Sequence, residues 1–489
     1  MALKPIGAVF GTVGSSSFRI AVSDAELRRN DYVKCEHPQC GWVLGQVTDL
    51  HRESDVSYEK ASRMLSGEQV TVQEKVIAAV EMAGYRDARG ILQRPDTPLP
   101  AGSLIYRADS AIIKNVLGLD RRAKGMAYVG LLKGHDDIKV SLDINTLVSN
   151  HVSILAKTGG GKSYTVGVFL EELIKRGVPA VIIDPHGEYS SLMHPNNSER
   201  DHSLMEAFSV KPRGYADHVA EFSPDRKLNP GALQFAFDSV NLAIEDLAEF
   251  TGVPFSGPQI TALDTIIKEL KKDTPFYTLR NLIDAIRNSS STARWSLMPP
   301  LEQLDSMGLF SKNPTKISDL VKHNQVSIVN LKGVPPEVGE MIVARLCTKL
   351  FEARKLDKIP AMMLVMEEAH NWCPQVGVAK STSILKTIAA EGRKFGLGLC
   401  VVSQRPAKVD KNILSQCTTQ IILKVTNPND LKAISQSIEG LTEGMVEEIR
   451  ELAVGEALIT GGAVAAPIVV RTRVRETRHG GGSVQVVRG

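Results

Sequence analysis

The most constraining feature of this 489-residue chain is eight residues long: Ala156-Lys157-Thr158-Gly159-Gly160-Gly161-Lys162-Ser163. An apolar run at 152–155 leads into it. Behind it Val166, Phe169, Leu170, Leu173 and Ile174 recur at helical spacing until Gly177 and Pro179 end the pattern. Strand, glycine-rich loop and helix start, in that order, are what a phosphate-binding loop requires. The glycines let the backbone curl, so that successive N–H groups and the positive end of the helix face an anion. On this reading Thr158, Gly159, Gly160, Gly161, Lys162, Ser163 and Tyr164 surround the phosphates of ATP, Lys162 bridges the β- and γ-phosphates, and the Ser163 hydroxyl holds Mg2+. One departure is Ala156, where the usual motif starts with glycine.

Such a loop sits on a parallel sheet, and the chain from about residue 140 has that texture. Apolar strand candidates at 180–183, 326–331, 362–366, 399–402, 420–425, 457–460 and 468–474 alternate with longer periodic segments, and most are apolar throughout, as strands covered on both faces are. Residues 236–322 interrupt the alternation with helical patterns alone. Leu263, Ile266, Ile267 and Leu270 share one face, and Leu279, Leu282, Ile283 and Ile286 repeat the spacing behind Thr278, a candidate N-cap. Ahead of the core, short β-rich pieces at 8–12, 18–22, 31–35, 42–48 and 69–73 suggest a small antiparallel barrel, with one helix-like stretch at 76–82. The expected organisation is an α/β fold: an N-terminal β-barrel (1–110), a linker (111–140), an ATPase core (141–235 and 323–475), an all-helical insertion (236–322), and a flexible tail (476–489) marked by glycines at 480–482.

Hydrolysis of a nucleoside triphosphate needs one carboxylate for the hydrated metal and another to activate water. The apolar run 362–366 ends in Glu367 and Glu368: Glu367 replaces the more usual Asp on the metal side, and Glu368 is the candidate general base. Gln404 follows the run 399–403 as a candidate sensor of the γ-phosphate or lytic water. Asp184, His186 and Glu188 follow 180–183; three ligands in one short turn make a poor metal cage, so a polar turn flanking the nucleotide is the better reading. Cys35 and Cys40 lack a second ligand pair and read as a turn. Arg393 is the first candidate, and Arg405 the second, for an arginine that neutralises phosphate charge from another subunit. Each reads equally as a surface charge or an intrasubunit pair.

The combination of 156–163, 184–189, Glu367-Glu368-Ala369-His370 and Ser403-Gln404-Arg405-Pro406, with a barrel in front and a helical insertion, resembles the HerA proteins, archaeal-type hexameric DNA translocases and helicases of the FtsK/HerA group. The likeness spans nearly the whole chain. It implies a RecA-like P-loop ATPase core, a homohexameric ring with ATP between neighbours, double-stranded DNA through the channel, and a NurA-type nuclease partner in DNA end resection for recombinational repair. Lys380, Ser381, Thr382 and Lys386, behind Gly377, are then candidate contacts to DNA phosphates, or else a solvated helix start.

Charge does not oppose this: 58 Lys and Arg against 55 Asp and Glu exclude a polycation or an acidic disordered chain, while a basic stripe can still be balanced elsewhere. Six cysteines are too sparse for a disulfide framework, and no run of eighteen apolar residues exists. Lys4, Pro5, Gly7 and Gly11 break up the first residues, so neither a signal peptide nor a membrane span is expected, and a cytoplasmic, nucleoid-associated protein is. Two other functions stay open to the same residues: a nucleotide-gated scaffold that clamps DNA and recruits a nuclease, and a small-molecule phosphotransferase. Against the second stand the separate barrel and the lack of a recognisable lid.

Overall fold

Seven strands open the chain: β1 (Gly7–Phe10), β2 (Ser17–Val22), β3 (Tyr32–His37), β4 (Gly41–Ser54), β5 (Glu74–Arg86), β6 (Leu92–Gln93) and β7 (Leu104–Arg107). Their alternation turns Val9, Phe18, Ile20, Val33, Val43, Ala78, Val80 and Ile105 to one side, where they form a common core. The antiparallel order β2-β1-β7-β3-β4-β5-β6 closes because β2 also pairs with β5, giving a six-stranded barrel with β6 appended. Closure removes the open edges such short strands would otherwise expose. The computed structural model in which this is seen describes residues 4–24, 26–120, 125–251, 254–273, 276–438 and 440–481. Two compact units make it up, Met1–Leu142 with Leu458–Arg471, and Asp143–Ala457 with Thr472–Gly489.

Two sequence expectations fail in the barrel. Residues 76–82 are strand, part of β5, because β2 and β4 flank them on both sides and pairing overrides the helix-forming Ala, Glu and Met. Residues 69–73 carry no strand; the β4–β5 connection instead contains a helix, Tyr58–Leu65, whose N-cap is Ser57. Nor is 111–140 simply a linker. A helix, Ser110–Leu117, starts on the Asp109 cap and ends at Gly118 in a left-handed conformation, and β8 (Met126–Leu132) and β9 (His135–Asp143) follow.

In the second unit lie β10 (Val152–Leu155), β11 (Ala180–Asp184), β12 (Val219–Ser223), β13 (Leu233–Gln234), β14 (Phe237–Asp238), β15 (Phe310–Ser311), β16 (Val326–Asn330), β17 (Met362–Met366), β18 (Leu397–Ser403) and β19 (Thr419–Leu423). Eight of them form a parallel array in the order β13-β12-β16-β11-β17-β18-β10-β19. β10, β11 and β16 to β19 are buried along their whole length, which is why they read as unbroken apolar runs. The order matters for chemistry: β11, β17, β18 and β10 are consecutive, so their C-terminal ends meet at one crevice.

Between β13 and β16 stand the helices Ile244–Thr251, Gly257–Asp273, Leu279–Asn288 and Arg294–Ser306. Thr278 caps the third through a reciprocal capping box with Asn281, and Leu279, Leu282, Ile283 and Ile286 are its buried face. The insertion is not all-helical, since β14 and β15 pair as a short parallel ladder between its two ends.

The chain closes with β20 (Glu456–Gly461) and β21 (Ile468–Thr472); in the first unit β21 lies next to β8, and β8 next to β9. The expected tail does not begin at 476. Arg473, Arg475, Glu476 and Thr477 are buried, and the segment crosses the helix Lys162–Lys175. Residues 482–489 of that expectation lie outside the described residues.

Candidate functional site

The loop from β10 to the helix Lys162–Lys175 has the geometry its sequence demands. Gly159 and Gly161 sit at φ 73° and 94°, a region where a side chain is strained. The Lys157 N–H is anchored on the Lys424 carbonyl at 2.8 Å, and the Gly160 N–H turns back to the Lys157 carbonyl at 3.0 Å. Gly161 begins the helix with no side-chain cap, so its first amides point into the loop.

Lys162 is buried, and its ammonium meets both strand-end acids: Glu367 in a very short contact and Glu368 Oε1 at 3.1 Å. Two buried carboxylates share one cation. Burial pushes Glu367 up to about 7, with Lys162 pulling it down and Glu368 and Asp184 pushing it further up. For Lys162, burial works against the charge, but the two acids outweigh it and raise its pKa. Glu367 Oε2 and Glu368 Oε2 are buried without a hydrogen bond among the described residues. Glu367 Oε2, beside Lys162 and next in sequence to the orphaned Glu368 oxygen, is a hard anionic donor of the type that Mg2+ takes.

Gln404 belongs to the same crevice, its Oε1 accepting from the Thr158 hydroxyl at 2.6 Å. Asp184 does not stand ready as a ligand. Its carboxylate accepts the N–H groups of His186, Gly187 and Tyr189 at 3.1, 2.8 and 3.1 Å, while burial pushes it up to about 6. It builds the turn that carries His186, which is exposed, and Glu188, whose Oε2 is buried without a hydrogen bond among the described residues. Tyr164 faces away from the loop: its hydroxyl accepts the Arg475 N–H at 2.8 Å and its ring packs edge-on to His479, which leaves its backbone amide as the group it offers a phosphate.

The other candidates separate. Arg405 is exposed at the C-terminal end of β18, beside the crevice. Arg393 is exposed at the opposite end, in the turn Gly392–Phe395 that precedes β18, about 20 Å away along a strand rising about 3.3 Å per residue. Ser381 and Thr382 are buried; the Ser381 hydroxyl donates to the Trp372 carbonyl at 2.7 Å and the Thr382 hydroxyl accepts the Ala379 N–H at 3.2 Å. Neither hydroxyl is presented to solvent for a phosphate contact, which corrects that expectation. Lys386 pairs with Asp410 at 2.8 Å. Lys380 is exposed, on a groove it shares with Arg345 and Lys349.

Sequence reasoning missed His370, which touches Glu368, and the buried arginines Arg473, which it assigned to a terminal strand, and Arg475, just beyond that strand. Only the proximity of His370 to the double acid in Glu367-Glu368-Ala369-His370 was a usable signal for the first. The arginines gave none, because two cations in an apolar strand pattern look like a solvated edge.

Two family profiles and several known proteins match the chain. Residues 127–350 match the family profile described as helicase HerA, central domain, and residues 340–479 match helicase HerA-like C-terminal. A probable helicase of Methanocaldococcus jannaschii is 30% identical over 81% of this chain and 76% of its own length. The DNA double-strand break repair helicase HerA of Saccharolobus solfataricus is 28% identical over 95% of this chain and 91% of its own. Among solved structures, VirB4 of Thermoanaerobacter pseudethanolicus overlays with a TM-score of 0.46 at 16% identity, covering 71% of this chain and 96% of that one. The plasmid coupling protein TrwB bound to an ATP analogue gives 0.47 at 13% identity, covering 76% and 94%.

Proposed function

The chain belongs to the HerA helicase family, and from that premise we infer that it is an ATPase whose turnover drives double-stranded DNA through a homohexameric ring during double-strand break repair. One observation carries the catalytic half of this reading: Lys162 and the paired acids Glu367 and Glu368 converge at the mouth of a glycine loop whose helix has no side-chain cap. In the proposed mechanism the amides of residues 158–164 and Lys162 hold the triphosphate. Ser163 and Glu367 would hold Mg2+, which would supply positive charge to neutralise that developing on the phosphates. Lys162 leaves the carboxylates for the phosphates as ATP enters, freeing Glu368 to orient water and take its proton, and Gln404 senses the γ-phosphate through the loop it already touches at Thr158. Arg393 serves the neighbouring subunit. Lys380, rather than Ser381 or Thr382, carries the contact to DNA phosphates from the segment that follows β17. A NurA-type nuclease and a nucleoid location complete the reading, both inherited from the family.

The test is ATP hydrolysis by the purified protein with and without linear duplex DNA, alongside Glu368→Gln. The amide keeps the shape but accepts no proton, so the variant binds ATP normally and its turnover falls by about 10²-fold or more. A rate indifferent to DNA in the wild type, with full turnover in the variant, sinks the proposal in favour of a phosphotransferase acting elsewhere.

A further inference from the structure

The ring of His370 stands between two neighbouring strand ends. Its Nδ1 lies 3.1 Å from Ser403 Oγ and 3.3 Å from Glu368 Oε2, and 12% of the side chain is exposed. Glu368 adopts φ 51° and ψ 48°, a left-handed conformation that strains a residue with a Cβ, and the reversal it creates brings His370 back alongside the carboxylate two residues earlier. Ser403 is fully buried as the last residue of β18, and its hydroxyl also accepts the Arg405 N–H at 3.0 Å. Gln404, between them, holds Thr158 of the phosphate loop.

Two oxygens, one of them anionic, face Nδ1, so the ring proton belongs there. Burial first, and then Arg405, Lys162 and Lys408, hold the imidazole below its ordinary pKa despite the pull of Glu368, so the ring is neutral and Nδ1–H is its one donor.

We propose that His370 is a positioning residue for ATP hydrolysis: its Nδ1–H, 3.3 Å from an Oε2 of Glu368 that has no hydrogen bond among the described residues while Lys162 holds Oε1, becomes the donor to that oxygen once Lys162 moves to the phosphates, and Ser403 ties the base to the turn that reads the phosphate loop. This rests on Glu368 as the base. Once His370 donates to that oxygen, rotation of the carboxylate is stopped, and Oε1, which contacts Lys162 at 3.1 Å, is the oxygen presented to water. The shared serine makes any shift of the Gln404 turn a shift of the base as well.

The experiment compares His370→Ala, His370→Asn and His370→Gln in DNA-stimulated ATP turnover, with binding of a non-hydrolysable analogue measured in parallel. An Asn amide N–H sits where Nδ1 sits, and a Gln amide reaches the Nε2 position. His370→Ala is expected to lower kcat about tenfold or more with KM and analogue affinity within about twofold, His370→Asn to recover to within about threefold of wild type, and His370→Gln to stay with Ala. In a Glu368→Gln background His370→Ala costs nothing further. Wild-type kcat in His370→Ala beside an inactive Glu368→Gln overturns the role of His370 alone; so does rescue by Gln and not Asn. Normal turnover by Glu368→Gln removes the base, and the proposal with it. If the Ala variant does not fold, the Asn–Gln pair still decides.

Discussion

His151 enters β10 with φ at 56°, and its ring is clamped on both sides: the Leu399 N–H donates to Nδ1 at 2.9 Å and Nε2 faces the Ala389 carbonyl at 3.1 Å. With Nδ1 accepting, Nε2 must carry the proton, so the folded chain holds the ring neutral; burial pushes its pKa down to about 4 from 6.5. Unfolded chains take up that proton near pH 6.5 and the folded chain does not until about pH 4, so the unfolded state binds more protons in between and stability falls as pH falls through that window. The shift corresponds to about 3 kcal/mol, fully present above about pH 6.5. Asp184 and Glu367, raised to about 6 and about 7, run the other way, favouring the folded state at lower pH. The prediction is therefore a difference. In urea melts the stability gap between wild type and His151→Gln narrows steadily from pH 7 to pH 4; a gap constant with pH rules out the neutral clamp. At this scale the sequence was most readable where an acid or amide ends an apolar run, as at Glu367, Glu368 and Gln404. It was least readable at Ser381 and Thr382, because a hydroxyl buried against the Trp372 backbone and one facing a phosphate have the same local sequence.

The helix that starts at Lys162 is also the floor on which the segment 472–481 lies. Arg473, with no solvent exposure, contacts Glu171 Oε2 and Glu172 Oε1 at 2.8 Å each, and Arg475 lies 3.7 Å from Glu171 Oε1. Glu476 pairs with Lys175 at 2.7 Å and accepts the Tyr215 hydroxyl at 2.6 Å. Arg473, Arg475 and Lys175 thus balance Glu171, Glu172 and Glu476. Removing Arg473 leaves two acids buried with too little charge to meet them, so Arg473→Ala is expected to cost about 3–5 kcal/mol in denaturant unfolding. Gly167 supplies the sharper test. Gly to Ala inside a helix ordinarily stabilises by about 1 kcal/mol, yet a Cβ here comes 2.4 Å from Arg475 Cζ, so Gly167→Ala is expected to destabilise by about 1–3 kcal/mol. A stabilised Gly167→Ala refutes the packing argument. This network is why the end of the chain was misread: glycines at 480–482 announce freedom, while the ionic cross-links that deny it upstream join residues some 300 apart. β5 failed for a related reason, its neighbours β2 and β4 deciding against local propensity. The core strands and the capped helix at Leu279–Asn288 were legible because burial on both faces, and a reciprocal cap, leave their marks within a few residues.

On the scale of the whole molecule, the parallel order of the sheet puts the two arginines at opposite ends of β18. The residues proposed to hold the nucleotide follow the C-terminal ends of β10, β17 and β18, and Arg405 is exposed at that same end. Arg393 precedes β18, so the length of a fully buried strand keeps it from its own chain's phosphate loop, and an arginine of several ångströms' reach does not span about 20 Å. If it takes part in hydrolysis it must do so at another subunit's loop, which requires the heterologous, head-to-tail contact that closes into a ring. Lys162→Ala and Arg393→Ala proteins are each expected to be inactive alone. Mixed in equal parts and reassembled, an interface works when the loop comes from an Arg393→Ala subunit and the arginine from a Lys162→Ala subunit, one half times one half, so about a quarter of interfaces regain both groups. DNA-stimulated ATPase is expected to climb from near zero towards that fraction of wild type. The matching mixture of Lys162→Ala with Arg405→Ala also regains intact pairs only if Arg405 acts in trans; its place beside its own crevice predicts that just the subunits already carrying both groups would work, and in this mixture there are none. Recovery with Arg405 and not Arg393 would reverse the assignment.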